Sequence, residues 1–262
     1  MASIEVEGLS KVYSYYKKKV GLKNSFHDLF FRETLYKEAV KGISFAIDEG
    51  EMVGFIGPNG AGKTTTLKML SGILYPTSGK ASVIGYTPWE RKDEFKRQIS
   101  IVMGQKNQLW WDLPASESFY LNKYIYEIEE NKFKSRLEEL CELLDVKDLL
   151  NIQVRRLSLG ERMKMELIAA LLHDPPIILL DEPTIGLDIV SQQKLREFLK
   201  YYNEQFKTTI LLTSHYINDI QELCNRAIII NHGTIVYDGS LKKINDSFNS
   251  VKILKVKFDH VI

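Results

Sequence analysis

Ten consecutive residues carry the clearest chemistry in this sequence: Gly57-Pro58-Asn59-Gly60-Ala61-Gly62-Lys63-Thr64-Thr65-Thr66. They match the phosphate-binding pattern G-x-x-x-x-G-K-[ST] at every fixed position. Glycines let such a loop curl until several amide hydrogens face one anion. Lys63 supplies a point charge for β- and γ-phosphates, and the Thr64 hydroxyl is a ligand for Mg²⁺. A second group is Asp181-Glu182, which follows the apolar run Ile177-Ile178-Leu179-Leu180. Ligands of open α/β sheets bind at the carboxyl ends of the strands, which is where these two acids emerge. Asp181 is suited to hold Mg²⁺ directly or through water, and Glu182 to polarise an attacking water. Taken singly, these motifs could be a Gly-rich turn and a capped turn; found together, with the correct flanks, they argue against both.

The flanking elements position these groups. Met52 to Ile56 reads as a short buried strand, and Leu67, Met69, Leu70 and Ile73 recur with helical spacing. The loop therefore joins a strand to a helix, whose positive end adds to the attraction for phosphate. Ile99 to Met103 reads as a core strand ending at Gly104-Gln105, and the Gln105 amide oxygen there is placed to reach a metal or its water. Thr209 to Thr213 is another strand, ending Ser214-His215, with the imidazole placed to donate to a γ-phosphate. Ser158 and Gly160 begin an amphipathic helix that runs through Leu172. They offer either a second anion site or an ordinary N-cap, and these residues alone favour the cap. Tyr13 is open to two readings, a base-stacking ring or a packing residue.

The remaining chain supplies strands at residues 4–7, 39–47 and 80–84, with a turn at 48–51, and a pair at 227–230 and 234–237 around Asn231-His232-Gly233. Residues 117–150 are helical in composition, with Leu137, Leu140, Leu143 and Leu144 as an apolar stripe for the core. Residues 15–38 are unusual. Lys17-Lys18-Lys19 precede Leu22, Phe26, Leu29 and Phe30, which share one helical face suited to a membrane interface or a partner's groove, or else to folding back on the domain. Trp110 and Trp111 either seal the core or form part of a docking surface. His27 reads as solvated, His173 and His232 as structural residues of turns, and His260 lies in the tail. The tail from Ser240 is basic and ends in an alternating strand, residues 251–258, with no evident partner, which suggests either a truncated chain or a missing C-terminal extension.

Composition narrows the class. The 262 residues are 44% hydrophobic and 26% charged, with a formal net charge of +1. That describes a globular chain with no electrostatic reason to bind nucleic acid. Cys141 and Cys224 lack metal-ligand spacing and read as buried thiols in a reducing compartment. No run of about 18 apolar residues spans a membrane, and the first residues are not a secretory signal.

The ordered set of phosphate loop, Gln105, Leu157-Ser158-Leu159-Gly160-Glu161, Asp181-Glu182, Gly186-Leu187-Asp188 and His215 resembles the ATP-binding subunits of ABC transporters over residues 1–240. The resemblance implies an α/β P-loop NTPase: a RecA-like core with an antiparallel β subdomain and an inserted α-helical subdomain at about residues 106–172. It implies ATP and Mg²⁺ as cofactors, Tyr13 as the adenine-stacking ring, and Gly57, Pro58, Asn59, Gly60, Ala61, Gly62, Lys63, Thr64 and Thr65 as the phosphate cradle. Thr64, Gln105 and Asp181 would hold the metal. Glu182, His215, Gln105 and Lys63 would serve hydrolysis. Ser158 and Gly160 would close on the γ-phosphate bound to an opposite subunit, and Asp188 matches the family's D-loop and would belong with the nucleotide-binding residues. The implied partners are a second copy or a paralogue and a polytopic membrane permease, at the cytoplasmic face of the cell membrane. The 15–38 insertion is similar to one in polysaccharide-type and other ABC-2-like exporters, and residues 105–114 and 157–166 resemble bacterial ABC-2-type subunits. Leu159 stands where the family usually has glycine, and Glu161 where it has glutamine, so a working site with an altered rate is expected. The alternative is an ABC ATPase without a transporter, acting on a soluble or nucleic-acid complex.

Overall fold

A computed structural model describes residues 2–16, 34–104, 106–215 and 217–242. Two sheets share the chain. β1 (Ala2–Tyr16) pairs antiparallel with β2 (Thr34–Asp48), from Ala2 opposite Asp48 to Tyr16 opposite Thr34. β1 is thus the centre of a three-stranded sheet, with β4 (Ser78–Val83) on its other side. β1 and β2 run well past the strands expected at 4–7 and 39–47. Beyond Leu9 the residues of β1 are half-buried or exposed on both faces, so no alternation marks the continuing strand. The helix expected around residues 22–31 lies outside the described residues, as do His27, Gln105, the tail strand and His260.

The second sheet begins with β3 (Met52–Ile56), every residue of which is buried. It leads into α1 (Lys63–Leu70) through Gly62, whose φ of 115° no side chain adopts readily; a Cβ there would lie 2.6 Å from the Ala39 carbonyl oxygen. Leu67, Met69 and Leu70 are buried as expected, whereas Ile73 falls beyond the helix and is exposed. After α2 (Asp93–Lys96) comes β5 (Ile99–Met103), at the bounds expected for it.

The helical stretch 117–150 divides in two. α3 (Ala115–Ile125) and α4 (Glu130–Leu144) are separated by a turn with Glu127 at φ 53°. No Gly or Pro announces this break; the Glu129 carboxylate sets it by accepting from the Asn131 and Lys132 amides as the cap of α4. Of the leucine stripe, Leu140 and Leu144 are core, Leu137 packs at its edge and Leu143 is exposed. α5 (Leu159–Leu171) then leads to β6 (Ile177–Asp181), α6 (Ile189–Phe206), β7 (Thr209–Ser214), α7 (Ile217–Leu223), β8 (Arg226–Asn231) and β9 (Thr234–Ser240).

The strand order is β5-β6-β7-β3-β8-β9, parallel except for the β8–β9 pair. Ile178, Leu179 and Leu180 of β6 are at most 1% exposed. Such side chains contribute about 1.5–3 kcal/mol each on burial. This central position forces the end of β6 to emerge between two neighbours. The register sets Asp181 beside Met103 on one side and Thr213 on the other, and Ile56 beside Ser214. All four strand ends therefore open at one edge, above the loop that follows β3.

Candidate active site

A cavity of about 450 Å³ occupies that edge. Of the residues singled out by sequence, Tyr13, Asn59, Gly60, Gly62, Lys63, Thr64, Thr65, Asp181 and Glu182 line it. Gly57 and Ala61 are buried beneath the loop and Pro58 lies on its exposed side. Tyr13 comes from the outer sheet, with the Lys11 ammonium 5.5 Å from its ring centroid.

Within the cavity the Thr64 hydroxyl donates to both carboxylate oxygens of Asp181, at 3.0 and 2.8 Å. Lys63 is 5% exposed; its Nζ donates to the Gly57 carbonyl at 2.7 Å and lies 3.6 Å from Glu182 Oε1. His215 Nδ1 lies 3.5 Å from the same oxygen. Glu182 itself has φ 53°, a left-handed conformation that non-glycine residues adopt only where the surroundings hold them. Thr213 provides one hold. Its carbonyl and its hydroxyl both accept from the Glu182 amide, at 3.2 and 3.0 Å. The same hydroxyl donates to Asp181 Oδ1 at 2.7 Å.

Ser158, Gly160 and Asp188 do not line this cavity. Ser158 caps α5, and Glu161 completes the cap: the Ser158 hydroxyl and amide both donate to its Oε2 at 2.8 Å, while the Glu161 amide donates to Ser158 Oγ. The Ser158 hydroxyl and amide hold the Glu161 carboxyl below its usual range. Gly160 packs on Ser191, where an added Cβ would come within 2.6 Å of Oγ. Asp188 caps α6 through the Ser191 hydroxyl and amide, which hold its carboxyl below the usual range. The plain N-cap reading of Ser158 is therefore observed geometry.

Sequence reasoning missed Lys37, Lys68 and Lys106, three further cations lining the cavity. Lys37 stands directly opposite Tyr13 in the β1–β2 ladder, a placement hidden by the early end assigned to those strands. It also missed Thr213, which periodicity treats as one more strand residue. The thiols of Cys141 and Cys224 are buried and unpaired with each other, and burial pushes the Cys141 thiol up to about 11. His173 is structural, stacked at 3.8 Å on Tyr126. Trp110 and Trp111 are both exposed, so neither seals the core.

Residues 40–185 match the family model described as "ABC transporter". The chain belongs to this family. It is 37% identical over 213 residues to the ABC transporter ATP-binding protein NatA of Bacillus subtilis, covering 81% of this chain and 86% of that one. It is 30% identical over 236 residues to the Nod factor export ATP-binding protein I of a Rhizobium species, covering 90% and 74%. Among solved structures it is similar to the dimeric post-hydrolysis state of the ATP-binding cassette MJ0796 bound to ADP and Pi. That likeness has a TM-score of 0.75 and 26% identity, and covers 91% of this chain and 98% of the other. This ABC cassette is thus a P-loop NTPase in fold and an ATP-binding, ATP-hydrolysing subunit in function. Cassettes of the family dimerise and work with a membrane permease, so the role on a soluble or nucleic-acid complex is not favoured. Among the described residues no helix is long and apolar enough to cross a membrane.

Proposed function

We propose that this ABC cassette is the ATPase of an export system. It dimerises on ATP, with itself or a paralogue, and its closing and reopening drive a polytopic permease that holds it at the cytoplasmic face of the cell membrane. The export relative named above supports the direction. In this reading residues 1–240 form the cassette and 106–172 its helical subdomain, with an insertion at 15–38 and a separate C-terminal segment at 241–262. The exposed Trp110, Trp111, Tyr120 and Tyr124 offer the permease an apolar docking face.

The observation that carries the catalytic reading is the Glu182 carboxylate lining the loop cavity, with one oxygen, Oε1, 3.6 Å from Lys63 Nζ and 3.5 Å from His215 Nδ1. Tyr13 stacks on adenine. The loop from Gly57 to Gly62, with Lys63, Thr64 and Thr65, holds the phosphates through amides, ammonium and hydroxyls. Glu182 accepts a proton from the attacking water, and His215 donates to the γ-phosphate. Ser158, Gly160 and Asp188 serve the ATP of the second copy, which accords with their place outside this chain's own cavity. Gln105, outside the described residues, links the metal site to the helices that follow.

Thr64 Oγ1 and the Asp181 carboxylate would hold Mg²⁺, with Gln105 as a further ligand. An oxygen-only pair of this kind suits a hard cation that keeps waters and takes its other ligands from substrate phosphates. The ion, when bound, neutralises charge on the β- and γ-oxygens. The protein's remaining contribution to phosphoryl transfer is positioning and preorganised charge.

Replacing Glu182 by Gln tests the assignment. ATP binding and ATP-dependent dimerisation should persist while turnover is lost; unchanged turnover would remove Glu182 from its role.

A further inference from the structure

Behind Glu182 and His215 lies a second, fully buried carboxylate that none of the sequence motifs includes. Asp219, on α7, is 3% exposed. Its Oδ2 accepts from the Thr184 hydroxyl at 2.7 Å and from the Ser214 hydroxyl at 3.3 Å. Its Oδ1 accepts from Arg196 Nη1 at 2.8 Å. These donors come from three separate segments of the site. Thr184 is two residues beyond Glu182. Ser214 immediately precedes His215. Arg196 lies on α6, the helix capped by Asp188. We propose that Asp219 is a positioning residue for hydrolysis: a single carboxylate that fixes the Glu182 loop, the His215 strand end and the Asp188 helix as one body.

The physical case starts at the Glu182 backbone. Its left-handed conformation persists only where the surrounding structure holds it, and on its carbonyl side the Ile185 amide donates to the Glu182 carbonyl at 3.2 Å. Thr213 restrains the amide side. The Thr184–Asp219 bond restrains the other side, two residues on. Ser214 ties the same carboxylate to the residue before the imidazole, so one anchor sets both partners of the 3.5 Å Glu182–His215 approach. The Arg196–Asp219 ion pair is buried, with Arg196 9% exposed. A buried pair of this kind adds little net stability relative to apolar packing, so its effect here is geometric. Arg196 also reaches Gln193 at 3.0 Å and faces the exposed Glu222 carboxylate, which extends the anchor along α6 and α7.

This inference rests on the roles given to Glu182 and His215 above, and the experiment separates the two. Steady-state ATPase kinetics would be measured on the purified full chain, with thermal unfolding alongside, for Asp219→Ala, Thr184→Val, Thr184→Ser and Glu182→Gln. A displacement near 1 Å at the reacting groups lowers turnover by up to about 100-fold. Asp219→Ala and Thr184→Val should therefore lose about 10-fold or more in kcat with KM for ATP unchanged, and Thr184→Ser, which keeps the hydroxyl, should restore it. Adding Thr184→Val to Asp219→Ala should bring no further loss, because both cut the same link. Should Asp219→Ala fail to fold, the Thr184 pair carries the test alone. Inactive Glu182→Gln with wild-type kcat in Thr184→Val and Asp219→Ala would overturn the positioning role while leaving the site reading intact. A loss confined to KM or to thermal stability would overturn it equally. Full turnover in Glu182→Gln would overturn the site reading and this inference with it.

Discussion

Replacing Thr213 by Val probes the geometry of the acidic pair with almost no change of shape. Thr213 is fully buried, and its hydroxyl donates to Asp181 Oδ1 at 2.7 Å while accepting from the Glu182 amide at 3.0 Å. Valine deletes both contacts. The Glu182 amide keeps the Thr213 carbonyl at 3.2 Å, so it is not orphaned. Asp181 keeps the Thr64 hydroxyl and loses one hydrogen bond to an ionised group, a contribution of about 1.5–3 kcal/mol. The extra buried methyl offsets somewhat less than about 1 kcal/mol of this. The net loss is about 1–2 kcal/mol, or about 2–8 °C in the unfolding temperature of a domain this size. Asp181 and Glu182 also lose a shared tether, so turnover should fall about 10-fold, the lower range expected for a displaced catalytic group. Circular dichroism melts near neutral pH and ATPase assays at 25 °C read both effects, and Thr213→Ser should retain most turnover because it keeps the hydroxyl. An unfolding temperature within about 1 °C of wild type, with normal turnover, would refute the claim that this hydroxyl orders the pair.

Three further outcomes follow from buried or capped ionisable groups. Burial lowers the His173 imidazole from 6.5 to about 4, so the folded state resists its protonation. Its contribution is present above pH 6.5 and lost as pH falls toward 4, about 3 kcal/mol in all, and pH-dependent melts of His173→Phe should lack that slope. Glu166 is 4% exposed, accepts from the Gln108 and Leu109 amides through one oxygen, and burial raises its carboxyl above the ordinary 4.5. The folded chain thus favours its protonated form, so Glu166→Gln should melt higher than wild type at pH 7, with the difference vanishing below about pH 4.5. Glu161→Gln should strengthen ATP-dependent dimerisation, measured by size exclusion in the Glu182→Gln background; unchanged dimerisation would show that the Glu161 charge is silent there.

Much of the site was legible because its chemistry is local in sequence. A strand, a Gly-rich loop, Lys63 and Thr64 lie within 13 residues of Met52, and the four apolar residues before Asp181 announce a buried strand whose end must face a ligand edge. What was illegible depends on pairing between distant segments. Thr213 matters because β6 and β7 are neighbours in register, and Lys37 because β2 runs beside Tyr13. Nothing in the types or spacing of Thr184, Arg196, Ser214 and Asp219 points to a common carboxylate; only the packing of α6 and α7 on the sheet edge brings them together. The division of residues 117–150 was hidden for another reason. The Glu129 cap uses a residue type that is also a good helix former, so composition alone reads straight through it.

The two departures from the family pattern have different physical meanings. Leu159 invites suspicion because a large side chain stands where the family usually has glycine, in a segment proposed to face the phosphate of a second copy. Its side chain instead packs toward the core, with Cδ2 3.0 Å from where a Cβ on Gly186 would stand. It thereby joins the start of α5 to the loop before Asp188. Glu161 is the smaller change by volume and the larger one by charge. A carboxylate in the first turn of a helix is favourable to that helix, and here it completes a capping box. It also takes the Ser158 hydroxyl and amide, the two donors assigned to a second copy's phosphate in the proposed reading. Glutamine at position 161 could accept the same two bonds through its amide oxygen, without the negative charge that opposes an incoming anion. If Ser158 serves the ATP of a second copy as proposed, the rate question raised by this signature belongs to Glu161, because closing would then have to redirect the Ser158 hydroxyl from one anion to another.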